Sequence, residues 1–272
     1  MLVQTEAYGL KLLVPANDSG VSQCLRDNGE FARVEVELIQ SLVDGGVYID
    51  VGANIGSIAL PLAKAAKLVI AVEANRGFAN VLAANALNNG LYNVSTVHAA
   101  IGETERLARF PMIPLGQPGN LGVSGFHLAG KFAEEVVRMT TLDAITPPTT
   151  TVIKIDVEGY EPSVLMGAGR VLREVRPVWL VESGDDTPET WSVIDVFRQA
   201  NYEIYWFFAP FVTIHPHRGA SPAKLRGDVN ILAVPREMAQ PEWEMRRVVP
   251  GEPRPTSIAD FPYLTRYGFK LA

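Results

Sequence analysis

Cysteine is almost absent from this sequence, with Cys24 the only one among 272 residues. A single cysteine excludes an intrachain disulfide and a cysteine metal cluster, and the four histidines show no zinc-like spacing. No apolar run approaches the ~20 residues of a membrane span. The first residues also lack a basic region before an apolar core. We therefore expect a cytoplasmic protein that is neither secreted nor inserted in a membrane.

Basic residues are scarce relative to acidic ones. The chain has 24 Lys and Arg against 30 Asp and Glu, a formal net charge of −6. A nucleic-acid partner requires a basic surface that neutralises phosphates, so we expect none, and we expect a small-molecule or glycan acceptor instead. With 47% hydrophobic residues the chain can bury one large core with elaborations. The oligomeric state stays open, a homo-oligomer included.

Apolar runs typical of buried strands alternate with helical patterns along the chain. The predicted strands are 46–50, 68–73, 94–98, 151–156, 177–182, 202–208 and 229–234, and the predicted helices are 55–66, 77–88, 161–174 and 188–200. The alternation predicts an α/β fold with a doubly wound, mostly parallel sheet. Proline and glycine interrupt it in residues 103–150, which we predict to be a loop or hairpin insertion over the site. The expected organisation is a lead-in (1–45), a core (46–235) and a tail (236–272).

The most informative pattern is a strand that ends near an acid and turns through glycines. It reads Val47-Tyr48-Ile49-Asp50-Val51-Gly52-Ala53-Asn54-Ile55-Gly56. Gly52 and Gly56 lack a Cβ, so the backbone can turn sharply and approach a ligand closely. The G-x-N-x-G spacing differs from the G-x-G-x-x-G of dinucleotide-binding proteins. S-adenosylmethionine (SAM) fits better, because it has no pyrophosphate and its ammonium needs an acceptor such as the Asp50 carboxylate.

The ends of the next two strands extend this predicted cofactor site. Glu73 ends the second strand, where a doubly wound sheet presents an acid to the two ribose hydroxyls of an adenosine ligand. A solvated acid at a strand end is the alternative. Ala100 and Ile101, together with Ala74 beside Asn75, outline an apolar slot for adenine, and an ordinary strand exit is the alternative there. Glu73 supports an adenosine cofactor without separating SAM from NAD.

A second charged pattern, Lys154-Ile155-Asp156-Val157-Glu158-Gly159-Tyr160-Glu161, lies at the end of a buried strand. Lys154 is a candidate to neutralise an acid and Asp156 a candidate to face the cofactor or acceptor, with a structural ion pair as the alternative. Glu182 ends the next strand, so the two acids are expected at the same edge of the sheet. Two acids are fewer ligands than a divalent cation usually takes. We therefore predict no metal site and a role as general base or hydrogen-bond acceptor.

Histidine is the other candidate base, because imidazole titrates near neutral pH. His127 lies in the insertion and is the preferred histidine, ahead of the remaining three, His98, His215 and His217. Asn120 in the same insertion either hydrogen-bonds the acceptor or forms a turn. The catalytic candidates are thus Asp156, Glu182 and His127.

As a set, these motifs resemble the FkbM family of SAM-dependent methyltransferases over residues of about 30–235. The matching stretches are 50–56, Glu73-Ala74-Asn75 with Asn85 and Asn88, Ala99-Ala100-Ile101-Gly102, Thr141-Leu142-Asp143, 154–161 and Gly167-Ala168. The tail after Pro235 lies outside the resemblance. Ala74 stands where many members have a proline.

The resemblance implies a Rossmann-like class I methyltransferase with strand order 3-2-1-4-5-7-6, whose last strand is antiparallel. It implies a transfer that is usually an O-methylation, with sugar and polyketide hydroxyls among the acceptors. It places five residues at the cofactor, namely Asp50, Gly52, Asn54, Gly56 and Glu73. It gives no agreed catalytic base.

The predicted reaction is an SN2 methyl transfer from SAM to a hydroxyl of a sugar, polyketide or other small natural product, with a carboxylate or histidine accepting the proton. An NAD-dependent oxidoreductase on a similar fold is one alternative, which the glycine spacing disfavours. A non-catalytic adenosine-binding module is the other.

Overall fold

The strands lie in three sheets in a computed structural model that describes residues 1–183, 187–238 and 244–271. In chain order they are β1 (Leu2–Ala7), β2 (Leu10–Pro15), β3 (Val47–Val51), β4 (Leu68–Glu73), β5 (Val94–His98), β6 (Ala100–Ile101), β7 (Arg106–Pro111), β8 (Glu134–Thr140), β9 (Thr150–Ile155), β10 (Val178–Glu182), β11 (Tyr202–Pro210), β12 (Gly227–Pro235) and β13 (Arg246–Arg247). The α-helices are α1 (Val21–Asn28), α2 (Arg33–Val43), α3 (Arg76–Asn88), α4 (Leu142–Ile145), α5 (Glu161–Met166) and α6 (Pro188–Gln199). In these ranges no helix has both the length and the apolar character needed to cross a bilayer.

The central sheet has the order β13-β11-β12-β10-β9-β3-β4-β5. From β10 to β5 the neighbours are parallel, whereas β12 runs antiparallel to both β10 and β11. Apart from the short β13, this is the order 3-2-1-4-5-7-6 with the last strand reversed. The predicted Rossmann-like class I fold is therefore confirmed. The strand β13, which pairs with Tyr205 and Trp206, was not predicted and brings the sheet to eight strands.

Burial explains why the core strands were recognisable. All five residues of β3 are buried, as are the last four of β9 and the first four of β10. A parallel sheet covered by helices on both faces requires such continuous apolar runs. Because the carboxyl ends of parallel strands meet at one edge, the acids that end these strands are brought to one side of the sheet.

The predicted helix over 55–66 is wrong. The chain forms a series of turns there and only a short 3-10 helix at Pro61–Lys64. Gly56 has φ +88°, outside the helical range. Pro61 has no N–H and cannot donate to the carbonyl four residues earlier. The apolar spacing that indicated a helix instead reflects the burial of these turns.

The predicted helix over 161–174 is interrupted. The helix α5 ends at Met166, and a π-helical turn follows at Val171–Val175. A Cβ on Gly167 would lie 2.1 Å from the Gly102 carbonyl oxygen, so this glycine is required where two backbones meet. The Asp143 carboxylate accepts hydrogen bonds at 2.9 Å from the backbone N–H groups of Arg170 and Val171. The Thr-Leu-Asp motif thus caps the second segment.

The residues before β3 form the antiparallel pair β1–β2 and the helices α1 and α2. The Asn85 side chain on α3 holds this pair in place. Its Oδ1 accepts from the Leu13 N–H at 2.6 Å, and its Nδ2 donates to the carbonyls of Leu13 and Ile55 at 3.0 and 3.2 Å. One buried amide therefore joins β2, α3 and the turn after β3.

The insertion supplies β7 and β8, which form a three-stranded sheet of order β6-β8-β7 with the preceding β6, and a loop that returns to the start of the chain. The buried Asp18 carboxylate accepts hydrogen bonds from the N–H groups of Gly20, Ser22 and Leu121, at 2.7–3.0 Å. Asp18 also pairs with Gly119 in an isolated bridge. These contacts fix the insertion loop against the N-terminal segment.

The C-terminal aromatic residues pack against the central sheet, where Phe261, Tyr263 and Phe269 are buried. The Tyr263 hydroxyl accepts from the Phe208 N–H at 2.7 Å and donates to the Phe208 carbonyl at 2.9 Å. The edge strand β13 pairs only with Tyr205 and Trp206. Tyr263 therefore satisfies the backbone of β11 beyond the end of β13.

Replacing Tyr263 with Phe should lower the free energy of unfolding by ~1–3 kcal/mol, because two partly buried backbone groups lose their partner. Chemical denaturation of the two proteins measures the difference. Tyr92→Phe is the matched control, because that side chain is 85% exposed. Equal stability of Tyr263→Phe and Tyr92→Phe would contradict the role of this hydroxyl.

Candidate functional site

One cavity of about 230 Å³ opens at the carboxyl edge of β3, β4, β9 and β10. Nine of the eleven residues predicted as cofactor-binding or catalytic line it: Asp50, Gly52, Asn54, Glu73, Ala74, Ala100, Ile101, Asp156 and Glu182. The insertion loop contributes residues 120 and 122–126 to the wall, and Glu35 of α2 and Asp228 of β12 contribute further acids. Gly56 and His127 do not line this cavity.

The turn after β3 brings two strand ends together. Gly52 has φ +88°, and a Cβ at this position would lie 1.8 Å from the Asp156 carbonyl oxygen. The N–H groups of Gly52 and Ala53 both donate to the Val72 carbonyl, at 2.9 and 3.0 Å. Gly52 is therefore required because the end of β3 lies against the end of β9. The sequence had predicted a different reason, the close approach of the backbone to a ligand.

Glu73 is fixed by two backbone groups at the end of β4. Its Oε2 accepts from the Asn54 N–H at 2.8 Å and its Oε1 from the Asn75 N–H at 2.7 Å. Burial raises the pKa of Glu73 to about 7 despite these bonds. Each carboxylate oxygen has a second lone pair, so both can still accept from ribose hydroxyls.

An apolar slot lies along the same wall. Ala100 and Ile101 are buried and line the cavity together with Phe126 and Tyr160, whose ring centroids are 4.6 Å apart. These surfaces can cover a flat base such as adenine. The two rings come from the insertion and from the turn before α5, and the sequence reasoning did not assign either of them to the site.

Asp50 is 1% exposed and lines the cavity, and its Oδ1 has no hydrogen-bond partner. Burial raises its pKa to about 6, against the attraction of the Lys154 ammonium. A buried carboxylate oxygen without a partner calls for an explanation, and an ammonium group supplies one. The orphaned Asp50 oxygen, the Glu73 carboxylate and the apolar slot together fit the amino-acid, ribose and adenine parts of SAM.

Asp156, Glu158 and Glu182 form what we call the acid cluster. Each offers a carboxylate oxygen, and these oxygens all lie within 4.8 Å of one another. Glu158 reaches this position with φ 53°, an uncommon conformation for a residue other than glycine. The prediction of no metal site was based on a count of two acids. Glu158 adds a third carboxylate, and three carboxylates can share a cation. The absence of a metal stays a prediction.

Lys154 neutralises the cluster from within the sheet. Its Nζ donates to Asp156 Oδ2 at 2.7 Å and lies 3.9 Å from Glu35 Oε1. The Lys154 side chain is 8% exposed, whereas the Asp156 side chain is 37% exposed and so reachable from the cavity. The predicted role of Lys154 as the neutralising cation agrees with this geometry.

The charges of the cluster are unequal. The negative charge of Asp156, together with burial, raises the pKa of Glu182 well above its usual range. Burial also opposes the ionisation of Asp156, but Lys154 and the hydrogen bond with Glu182 together outweigh it, and the pKa of Asp156 is lowered. Burial raises the pKa of Glu158 to about 8 and that of Asp228 to about 6. Near neutral pH, Asp156 is the ionised member of the pair and Glu182 the protonated one.

None of the four histidines lines the cavity. His127 is exposed within the 3-10 turn Phe126–Leu128, and His98 contacts the Ala74 carbonyl at 3.1 Å. Asn120 does line the cavity, and its Oδ1 also accepts from the Gly122 N–H at 3.0 Å, so it both forms a turn and faces the site.

Two wall residues, Glu35 and Asp228, escaped the sequence reasoning. Glu35 is buried on α2 one turn before Ile39, so an acid within the apolar stripe of the helix was the available signal. Asp228 lies two residues before Asn230, which pairs with Glu182 across β10 and β12. Only the antiparallel register of β12 brings it to this edge.

A doubly wound sheet of this order, with acids at the ends of the first two strands and a glycine turn between them, defines a class I methyltransferase. The family model "Methyltransferase FkbM domain" matches residues 50–204, more than half of the chain. The protein belongs to the FkbM family of methyltransferases, and its cofactor is SAM. The comparison with curated proteins found no match.

Several solved methyltransferase structures are similar to this chain at low identity. The FkbM methyltransferase of Methylobacillus flagellatus is 19% identical with a TM-score of 0.44, and the match covers 70% of this chain and 44% of that one. The precorrin-6y C5,15-methyltransferase of Geobacter metallireducens is 14% identical, with a TM-score of 0.46 and coverages of 75% and 87%. A SAM-dependent methyltransferase of Agrobacterium tumefaciens is 12% identical, with a TM-score of 0.49 and coverages of 87% and 70%. This chain thus spans less than half the length of the first of them.

Gly52→Ala should destabilise the protein more than Gly45→Ala and should weaken SAM binding. Both glycines have positive φ, which costs an alanine ~1–2 kcal/mol, but a Cβ on Gly45 has nothing within 4 Å. At Gly52 the Asp156 carbonyl must also move. Thermal unfolding and calorimetry with SAM measure the two effects, and equal losses in the two variants would show that the closeness of the strands is unimportant.

Proposed function

We propose that the protein transfers a methyl group from SAM to a hydroxyl of a small molecule or glycan, such as a sugar or polyketide. One observation carries this proposal. Asp156, a partly accessible carboxyl group whose pKa is lowered, lies beside Glu182, whose pKa is raised, in the same cavity as the cofactor-side acids Asp50 and Glu73. A hydroxyl acceptor needs a group that takes its proton, and this wall supplies one.

The cofactor end of the cavity contributes binding and orientation. The Asp50 carboxylate suits the ammonium and the Glu73 carboxylate suits the ribose hydroxyls, while the rings of Phe126 and Tyr160 shield the base from water. SAM, when bound, supplies an electrophilic methyl group on its sulfonium. Holding donor and acceptor in one closed cavity accounts for much of the rate enhancement in reactions of this type.

Among the three predicted bases, Asp156 is the one we propose. It is ionised and reachable, so it can accept the hydroxyl proton as the new bond forms. Glu182 carries a proton near neutral pH and is better suited to donate a hydrogen bond to the acceptor or to Asp156. His127 is exposed and outside the cavity wall, so we assign it no catalytic role.

We further propose that the reaction takes place in the cytoplasm on a diffusible acceptor, without a nucleic-acid or membrane partner. The net charge of −6 and the single cysteine support this setting. The family's use of SAM removes the NAD-dependent oxidoreductase from consideration.

Isotope-labelled SAM, tested against libraries of sugar and polyketide hydroxyls, should label at least one acceptor. Asp156→Asn should then lower kcat by ~10²–10⁴-fold, the usual contribution of a general base, while the Kd for SAM changes little. Glu182→Gln keeps a neutral hydrogen-bonding group and should retain most of the activity near neutral pH. Wild-type activity in Asp156→Asn would remove Asp156 from the role, and SAM binding without labelling of any acceptor would indicate a non-catalytic module.

Binding of S-adenosylhomocysteine, which keeps the ammonium and ribose, should weaken as the pH falls from 7.5 to 5. The pKa of Asp50 is raised to about 6 and that of Glu73 to about 7 in the free protein, so both protonate across this range. The affinity should fall by up to about tenfold per pH unit for each group that must release its proton. Calorimetry in buffers of different ionisation enthalpy should show proton release, and Asp50→Asn should reduce it. A flat profile in the wild type would contradict the assignment.

A further inference from the structure

The cavity wall is strongly unbalanced in charge. Within the described ranges, Lys154 is the only basic side chain on the wall. Seven acids line the same cavity, namely Glu35, Asp50, Glu73, Asp156, Glu158, Glu182 and Asp228. Lys154 is already engaged by Asp156 and Glu35. Two of the acids suit the cofactor. Arg254 lowers the pKa of Asp228 from outside the wall, but Glu158 and Glu182 have no counter-charge lining the cavity beyond Lys154.

An aromatic wall lies in the same cavity. Phe31 and Phe211 stack with ring centroids 5.4 Å apart and an interplanar angle of 23°, and both line the cavity. Four residues after Phe31 in the chain, α2 carries Glu35, whose buried Oε1 makes no hydrogen bond and lies 3.9 Å from Lys154 Nζ. Aromatic faces attract organic cations electrostatically, and a buried carboxylate oxygen without a hydrogen bond favours a donor nearby.

We propose that the acceptor carries a protonated amine in addition to its hydroxyl, and that Glu158 and Asp228 bind this ammonium beside the phenylalanine wall. The inference rests on the hydroxyl methylation proposed above and names its substrate class. Burial and the charge of neighbouring acids already disfavour the ionised forms of Glu158 and Asp228, and an ammonium beside them relieves that repulsion.

An ammonium suits this wall better than a divalent metal ion does. Lys154 Nζ contacts Asp156 Oδ2 at 2.7 Å, which shows that a carboxylate of the acid cluster accepts ammonium geometry. A dication bound to the same carboxylate would lie close to the Lys154 charge and be repelled by it. A metal ion also gains nothing comparable from the apolar rings, whereas the carbon skeleton of an organic cation packs against them.

The bound amine is not the group that is methylated. A protonated amine has no free electron pair, and the surrounding carboxylates keep it protonated. The hydroxyl oxygen forms the new bond to the methyl carbon, and the sulfur–carbon bond breaks with its electron pair left on sulfur. The hydroxyl proton passes to Asp156. The ammonium thus orients the acceptor while a separate atom reacts.

The test compares matched sugars on the full protein with S-adenosylhomocysteine bound. D-glucosamine should bind roughly 10–100-fold more tightly than D-glucose and N-acetyl-D-glucosamine, the range of charge-assisted hydrogen bonds. Glu158→Gln and Asp228→Asn should each reduce this preference, whereas the control Glu103→Gln, at an exposed position, should keep it. Calorimetry measures all the affinities, and thermal unfolding checks that each variant is folded.

Three results overturn the inference. One is a D-glucosamine affinity no greater than that of the neutral sugars, absence of binding included. Another is a preference that survives in Glu158→Gln and Asp228→Asn. The third is binding of Mg²⁺ to the wild type that is lost in Glu158→Gln and Asp228→Asn and is not reduced by added D-glucosamine. In each case, labelling of neutral hydroxyls by isotope-labelled SAM would leave the proposed methylation of hydroxyls intact. Failure to bind S-adenosylhomocysteine would instead contradict both the proposed methylation and the ammonium-binding site.

Discussion

The ion pair between Lys154 and Asp156 keeps one carboxylate of the acid cluster ionised while its neighbours hold protons. A buried ion pair adds little net stability, because desolvation offsets most of the attraction. Its consequence here is a choice of protonation state. The Lys154 ammonium favours the ionised form of Asp156, and the charge of Asp156 in turn favours the protonated form of Glu182. The position of Lys154 within a buried strand, backed by Glu35, makes that choice a fixed property of the sheet.

The topology of the sheet gathers the acids from distant parts of the sequence. Asp50, Glu73, Asp156 and Glu182 lie at or just beside the carboxyl ends of parallel strands, which meet at one edge. Asp228 reaches the same edge for the opposite reason. Because β12 runs antiparallel, its first residues, and not its last, lie beside Glu182. The reversed strand therefore adds a carboxylate that a wholly parallel sheet would not supply at this position.

These relations show how much the sequence can predict. The strand-end acids were predictable because continuous apolar runs mark buried strands, and the strand order followed from the family resemblance. Helix 55–66 failed because apolar spacing alone cannot distinguish a helix from buried turns around Pro61. Asp228 required a strand register, and Glu35 required the orientation of a helix relative to the sheet. Both are properties of packing between segments far apart in the chain, which no local pattern contains.

The two ends of the cavity also differ in where their residues come from. The cofactor side, with Asp50, Glu73 and the adenine slot, lies within the family match at residues 50–204. Phe31 and Glu35 precede that segment, while Phe211 and Asp228 follow it. The donor end of the cavity has to fit one cofactor. The opposite end is completed by α2 with the residues just before it, and by residues after β11 and at the start of β12. Membership of the family therefore specifies the methyl donor, and under the proposed function the charge and shape of these flanking segments determine which acceptor can reach Asp156.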